Sequence, residues 1–340
     1  MRYPRAPASA SARAGAPASG PPARAGEPGR PAPLAALLGL LSLLLILSAC
    51  APGTGPSGVA ISITDCMDPA RADSADVRRN LAEIRRAPLC YRREAVREGP
   101  FHWTFHILEH RGHADGPLWV LPHDNENTAF DVAVQAVIRY GGGLLAVDAG
   151  GARQFRGQDP NRNFGATDAE SRVCIGQRRP APGYTRAVLA HFKGRPGPIL
   201  ALHNNHDGWA GDGGYGNISL YRETPSLRAY PGRGADRLRD ADDIVMMAGP
   251  RPLAADPARR RRVDALNAAG LNVMYKTVDG RNFDCSLSDY VARHGLGDYY
   301  NIEAEYDHRE VQLEMVVRLM ETLGIRPLRR AAAPSPFLGR

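Results

Sequence analysis

No C-x-x-C pair occurs in this chain, and cysteine itself is scarce, with five among 340 residues. That spacing argues against a cysteine-rich metal site. Long apolar runs are missing as well: the longest, residues 34 to 47, is too short to span a bilayer. No internal repeat is apparent. The excess of positive charge is also smaller than it looks. Of the net +7, residues 1 to 49 hold Arg2, Arg5, Arg13, Arg24 and Arg30 against Glu27, so +3 is left for the rest. A balance that modest makes no case for a nucleic-acid partner. The one dense basic run, residues 259 to 262, falls on a helix-like segment and reads as a solvated face.

What is present begins with an export pattern. Arginines precede the 34 to 47 run, which leads into Leu47-Ser48-Ala49-Cys50. The ending resembles the lipobox of bacterial lipoproteins, which implies a signal peptide over 1–49 and a lipid on Cys50. Ala51, rather than an aspartate, follows it. The expectation is therefore a periplasm-facing, lipid-anchored protein of the cell envelope, at the outer membrane in preference to the inner. The other four cysteines are even in number, as disulfides in an exported protein would be. Three pairings are possible; the favoured one joins Cys66 to Cys90, which would staple the polar N-terminal segment, and Cys174 to Cys285, which would tie two loops near the candidate site.

Residues 50–100 read as a Gly/Pro/Ser-rich tether followed by a small helical lead-in, with helix-permissive sequence over 75–86. Residues 101–330 read as one α/β domain, and 331–340 as a tail. Phe101, Trp103, Phe105 and Ile107 alternate with polar residues, the period of a half-buried strand. Residues 111–116 look like a turn, and 118–121 like the strand that returns. Ala129, Val132, Ala133, Ala136, Val137 and Tyr140 recur at helical spacing, and Gly141 to Gly143 end that helix. Further apolar runs at 144–147, 199–202, 244–248, 273–277 and 300–304 alternate with helical stretches. The pattern implies a mixed, largely parallel central sheet flanked by helices, with sites gathered at the carboxyl ends of strands.

Four fragments carry chemistry: His123-x-x-Glu126, Asp159-Pro160-Asn161-Arg162-Asn163-Phe164, His203 after one apolar run, and Glu303 after another. Two histidines and a carboxylate leave a metal's fourth position open, and a further carboxylate can move a proton. In this order the fragments resemble the zinc carboxypeptidase superfamily, including its succinylglutamate desuccinylase and aspartoacylase branch, over residues 118 to about 320. The resemblance implies one zinc ion held by His123, Glu126 and His203, with Glu303 as general base. It implies that Asn161 and Arg162 hold a free carboxylate of a peptide or N-acyl amino acid substrate. Arg153, with Arg156 in reserve, would polarise the scissile carbonyl, and Tyr275 would be a substrate-binding tyrosine.

Each assignment has a rival. His206 competes with His203, Glu305 competes with Glu303, and Arg162 could serve only as an ion-pair partner. His102, His106, His110 and His113 suggest a metal cluster, but strand alternation and a polar hairpin explain them more simply. An envelope zinc carboxypeptidase or deacylase, with murein peptides suggested as substrate by compartment alone, stands against a lipoprotein that binds metal or peptide without catalysis.

Overall fold

Strands form here where β-branched and aromatic residues cluster, and helices where apolar positions recur every third or fourth residue. The computed structural model describes residues 59–174, 177, 179–206 and 218–328. The chain divides into two units, Met1–Gly53 and Thr54–Arg340, and all the described residues belong to the second. The expected signal segment, Cys50 and the 331–340 tail lie outside the described residues.

In chain order the elements are β1 (Ala60–Ile63), α1 (Ala75–Arg79), α2 (Leu81–Arg86), β2 (Leu89–Glu98), β3 (Phe101–His110), β4 (Leu118–Leu121), α3 (Asn127–Tyr140), β5 (Gly143–Asp148) and α4 (Asp168–Val173). There follow α5 (Pro182–Ala190), β6 (Ile199–Asn205), β7 (Leu227–Tyr230), β8 (Ile244–Gly249), α6 (Pro257–Ala268), β9 (Val273–Thr277), α7 (Leu287–His294), β10 (Tyr299–Glu305) and α8 (Arg309–Thr322). Helix starts are chemically marked. Ser74, Thr167, Asp256 and Ser286 each accept a backbone N–H of the turn they open, and Pro182 and Pro257 fill first-turn positions.

The ten strands among the described residues form one mixed sheet in the order β1-β2-β3-β5-β4-β6-β10-β8-β9-β7. The four central strands β5, β4, β6 and β10 run parallel, as do β8 and β9. Antiparallel pairing occurs on both flanks, through β1, β2 and β3 on one side and through β8 and β7 on the other. One face packs on α1, α2, α3, α6 and α8, and the other on α5 and α7. With both faces covered, strand residues of either parity are buried, the condition that parallel strands require.

Three expectations change. The sheet does not start at Phe101: β1 and β2 belong to it, so the lead-in over 50–100 is only partly helical. The strand β4 does not return beside β3, because β5 lies between them and pairs with both. Sequence pattern marks a strand without naming its neighbour, and the helix α3 carries the chain across to make a parallel partner. Nor is β3 half-buried throughout: the alternation holds as far as Phe105, but His106 and Leu108 are buried as fully as Phe105 and Ile107. The β4/β5 junction is tight at Gly142, whose φ is +82° and where a Cβ would lie 1.8 Å from the Pro117 carbonyl oxygen.

Both expected disulfides are present, Cys66–Cys90 and Cys174–Cys285, with Cα separations of 5.3 and 5.4 Å. The second joins the end of α4 to the residue before the Ser286 cap of α7.

Candidate metal centre

The central parallel strands end together, and their carboxyl ends deliver the expected ligands. His123 and Glu126 lie on the tight turn between β4 and α3, with Glu126 at the N-terminal boundary of the helix. His203 lies on β6, directly opposite Glu303 of β10 in the parallel register. Ile199 and Ala201 share parity with His203, and Tyr299 shares it with Glu303. All three apolar residues pack on the α5/α7 face, which puts both functional side chains on that face.

The ligand atoms converge. His123 Nδ1 is 2.8 Å from Glu126 Oε1, His203 Nδ1 is 2.9 Å from Glu126 Oε2, and the two Nδ1 atoms are 3.1 Å apart. All three residues are buried. On its far side His123 Nε2 is 2.9 Å from Asp159 Oδ1. A neutral imidazole has one proton, and giving it to Asp159 leaves the Nδ1 lone pair facing a carboxylate oxygen and a second imidazole nitrogen. A cation between them resolves that conflict. Burial pushes His123 down, but Asp159 and Glu126 more than reverse this and raise it. Burial pushes Glu126 up, and His203 and His123 overcome it to bring the carboxyl to about 2.

Around this triad lies a cleft of about 140 Å³. Arg153, Asn161, Arg162 and Glu303 line it together with His123, Glu126 and His203, so of the residues expected at the metal and substrate site all but Tyr275 meet there. Arg153 is half-exposed and its Nη1 donates to Glu126 Oε1 at 3.0 Å. Burial pushes the Glu303 carboxyl above its ordinary value; His203 pulls against this, Glu126 adds to it, and a 2.8 Å hydrogen bond from Asn301 Nδ2 opposes it. Arg162 lies 3.7 Å from Asp284 and also donates to the Asn161 carbonyl. The Asn161 side chain accepts the Leu287 N–H, which fastens the start of α7 beside the cleft.

Tyr275 is the exception. It lies on β9 with the opposite parity, packs into the core of the α3/α8 face, and donates its hydroxyl to the Arg251 carbonyl at 2.8 Å. Its neighbour Lys276 lines the cleft instead. A one-residue offset on a strand exchanges faces, and sequence alone did not say which face was which. The rivals also separate: His206 is exposed and packs on Tyr306 at 5.0 Å, while Glu305 pairs with His308 at 3.0 Å and groups with Asp240 and Asp242. Arg156, the reserve, donates to the Pro100 carbonyl outside the cleft lining. His106 lies between Tyr91, 2.9 Å away, and Asp148, 3.3 Å away.

Sequence reading gave no role to Asp159, Asn301, Lys276, Asp284 or Asp289. Lys276 Nζ contacts Asp284 at 3.0 Å and Asp289 at 2.8 Å. Burial raises Asp284, but Arg162 and Lys276 hold it well below the usual carboxylate range; burial and Asp284 push Asp289 up. Asp159 opens the Asp159–Phe164 fragment, and its acidity next to Asn161-Arg162 was the available signal. Nothing in the sequence marked Asn301 or Lys276.

No known family model matches the chain, and no curated protein matches it. Among the solved structures to which it is similar are three that are each described as a "putative metallopeptidase". The protein from Shewanella denitrificans OS217 is 15% identical with a TM-score of 0.38, over 74% of this chain and 90% of that one. Those from Shewanella amazonensis SB2B and Shewanella baltica OS155 are 14% and 12% identical with TM-scores of 0.36 and 0.35, covering 68% and 72% of this chain and 85% and 89% of theirs.

Proposed function

We propose that this chain is a zinc-dependent hydrolase of the cell envelope that cleaves an amide bond next to a free carboxylate, as a carboxypeptidase or N-acyl amino acid deacylase. The observation that carries this is the convergence of two Nδ1 atoms and the Glu126 carboxylate within 3.1 Å, with Glu303 beside His203 on the neighbouring strand. His123, Glu126 and His203 hold the ion, and two nitrogens with one oxygen favour zinc over harder cations. When bound, zinc supplies Lewis acidity toward a water and a carbonyl oxygen. Glu303, its basicity raised by burial, takes the proton of the attacking water and returns it to the leaving nitrogen. Arg153 donates to the developing oxyanion, and Arg162 receives the substrate carboxylate. The remaining wall combines the ionic and hydroxylic Lys276, Asp284, Ser286 and Ser288 with the amides of Asn204, Asn205 and Asn301 and the apolar Ile218 and Met246. The envelope location and the lipid on Cys50 rest on the residues before position 51 alone.

The test pairs metal analysis with hydrolysis of a mixed pool of peptides and acyl amino acids carrying free or amidated termini. The reading expects one zinc per chain and cleavage confined to free termini. Glu303→Gln should keep the zinc and lose at least about 100-fold in kcat. Zinc without any cleavage by the wild-type chain would instead favour a binding lipoprotein.

A further inference from the structure

Between the end of β5 and Arg153 runs a segment with little to hold it. Gly150 and Gly151 have φ of +67° and +78°, and a Cβ at either would meet nothing within 4 Å. Arg153 itself is half-exposed. Yet three successive N–H groups of this segment are taken by carboxylates. Asp124 Oδ2 accepts from Ala149 at 2.8 Å and from Gly151 at 2.6 Å, and Asp148 Oδ1 accepts from Gly150 at 3.2 Å. Asp124 is no part of the metal triad, and it does not cap α3, which has no side-chain cap. Its bonds reach 25 and 27 residues along the chain, so they are not an ordinary local turn.

Asp124 stands between His123 and Glu126 in the ligand turn. At the other end of the segment it grips, Arg153 donates to Glu126. The two contacts close a loop from the ligand turn to the arginine and back. We propose that Asp124 is a positioning residue: its carboxylate binds the 149–151 backbone to the ligand turn and so holds the Arg153 guanidinium over the cleft. The significance for catalysis rests on the proposed hydrolase reading, whereas the clamp itself can be measured without turnover. Misplacing a catalytic donor by about 1 Å can cost about 100-fold in rate, so a soft glycine segment needs such an anchor.

The experiment uses the zinc-loaded chain with Asp124→Ala, Asp124→Asn, Arg153→Ala and the double variant Asp124→Ala/Arg153→Ala. In Asp124→Ala the amides of Ala149 and Gly151 should lose hydrogen-exchange protection, and the Arg153 Nε–H resonance should broaden or average, while zinc stoichiometry and melting temperature hold. Asp124→Asn, which keeps an acceptor oxygen, should retain most of the protection. In turnover, Asp124→Ala should lose about 10- to 100-fold in kcat with KM changed little, and the double variant should be no worse than Arg153→Ala. Unchanged protection in Asp124→Ala overturns the proposal, as do zinc loss in that variant or losses that multiply in the double one. If the wild-type chain hydrolyses nothing, the hydrolase reading fails, and the exchange and resonance measurements still decide the clamp.

Discussion

His123 is held between two carboxylates, and that placement governs both its protonation and its usefulness as a ligand. Asp159 fixes the ring from behind through Nε2, so that Nδ1 is presented toward Glu126 and His203. Losing such an outer partner typically costs 10- to 100-fold in metal affinity. Asp159→Asn should weaken zinc binding by about that factor at pH 8, measured by competition with a chromogenic chelator, and unchanged affinity would remove Asp159 from the centre. The pH dependence has a definite sign. His123 is raised above its ordinary value by Asp159 and Glu126, so a proton competes with the ion at a higher pH than for a free imidazole. Affinity should therefore rise with pH and level off only above the ordinary histidine range, and Asp159→Asn should move that levelling to lower pH. His123, His203 and Glu303 were legible as site candidates because each follows an apolar run that had to be a buried strand, and Glu126 was legible by its spacing from His123. Lys276 and Asn301 were not, because their importance lies in which face they share, and Tyr275 was misread for the same reason.

The order of elements was readable from periodicity, but their pairing was not. Nothing local in residues 118–121 says that β4 neighbours β5 and β6 instead of β3, since partner choice depends on the α3 crossover and on the close approach at Gly142. Helix packing adds charges that a pattern of apolar residues leaves out. On α1, Asp76 is buried and lies 2.7 Å from Arg79, which also bridges to Asp131 of α3. Burial is the larger influence and pushes the Asp76 carboxyl up to about 6 in spite of Arg79. Between the unfolded value near 4 and that value, the native state binds a proton that the unfolded chain has released. Stability therefore falls as pH rises through this window, and the cost is complete above it. Asp76→Asn should abolish that dependence and stabilise the chain by ~2 kcal/mol at pH 7, read from urea midpoints at pH 4, 5, 6 and 7. A variant destabilised at pH 7 would show instead that the Arg79 contact outweighs the burial.

At the scale of the whole molecule, the three-layer packing gathers charge at one edge of the sheet. Glu126, Asp159, Asp284, Asp289 and Glu303 place five carboxylates in or against the cleft, facing the three cations Arg153, Arg162 and Lys276. A divalent ion held by His123, Glu126 and His203 would bind the folded chain and not the unfolded one, so the fold itself should be more stable with the ion than without it. Binding at a thousandfold excess over Kd contributes about 4 kcal/mol. At roughly 2–4 °C per kcal/mol for a domain of this size, zinc should raise the melting temperature of the chelator-treated chain by about 8–16 °C. The shift should persist in Glu303→Gln and vanish in His203→Ala, because only the second removes a ligand. Asp240, Asp242 and Glu305 form a second group whose carboxylate oxygens lie within 4.8 Å of one another. An equal zinc shift in His203→Ala that disappears in Asp242→Asn would instead place the ion among those acids and sever the link between metal binding and the cleft that holds Glu303.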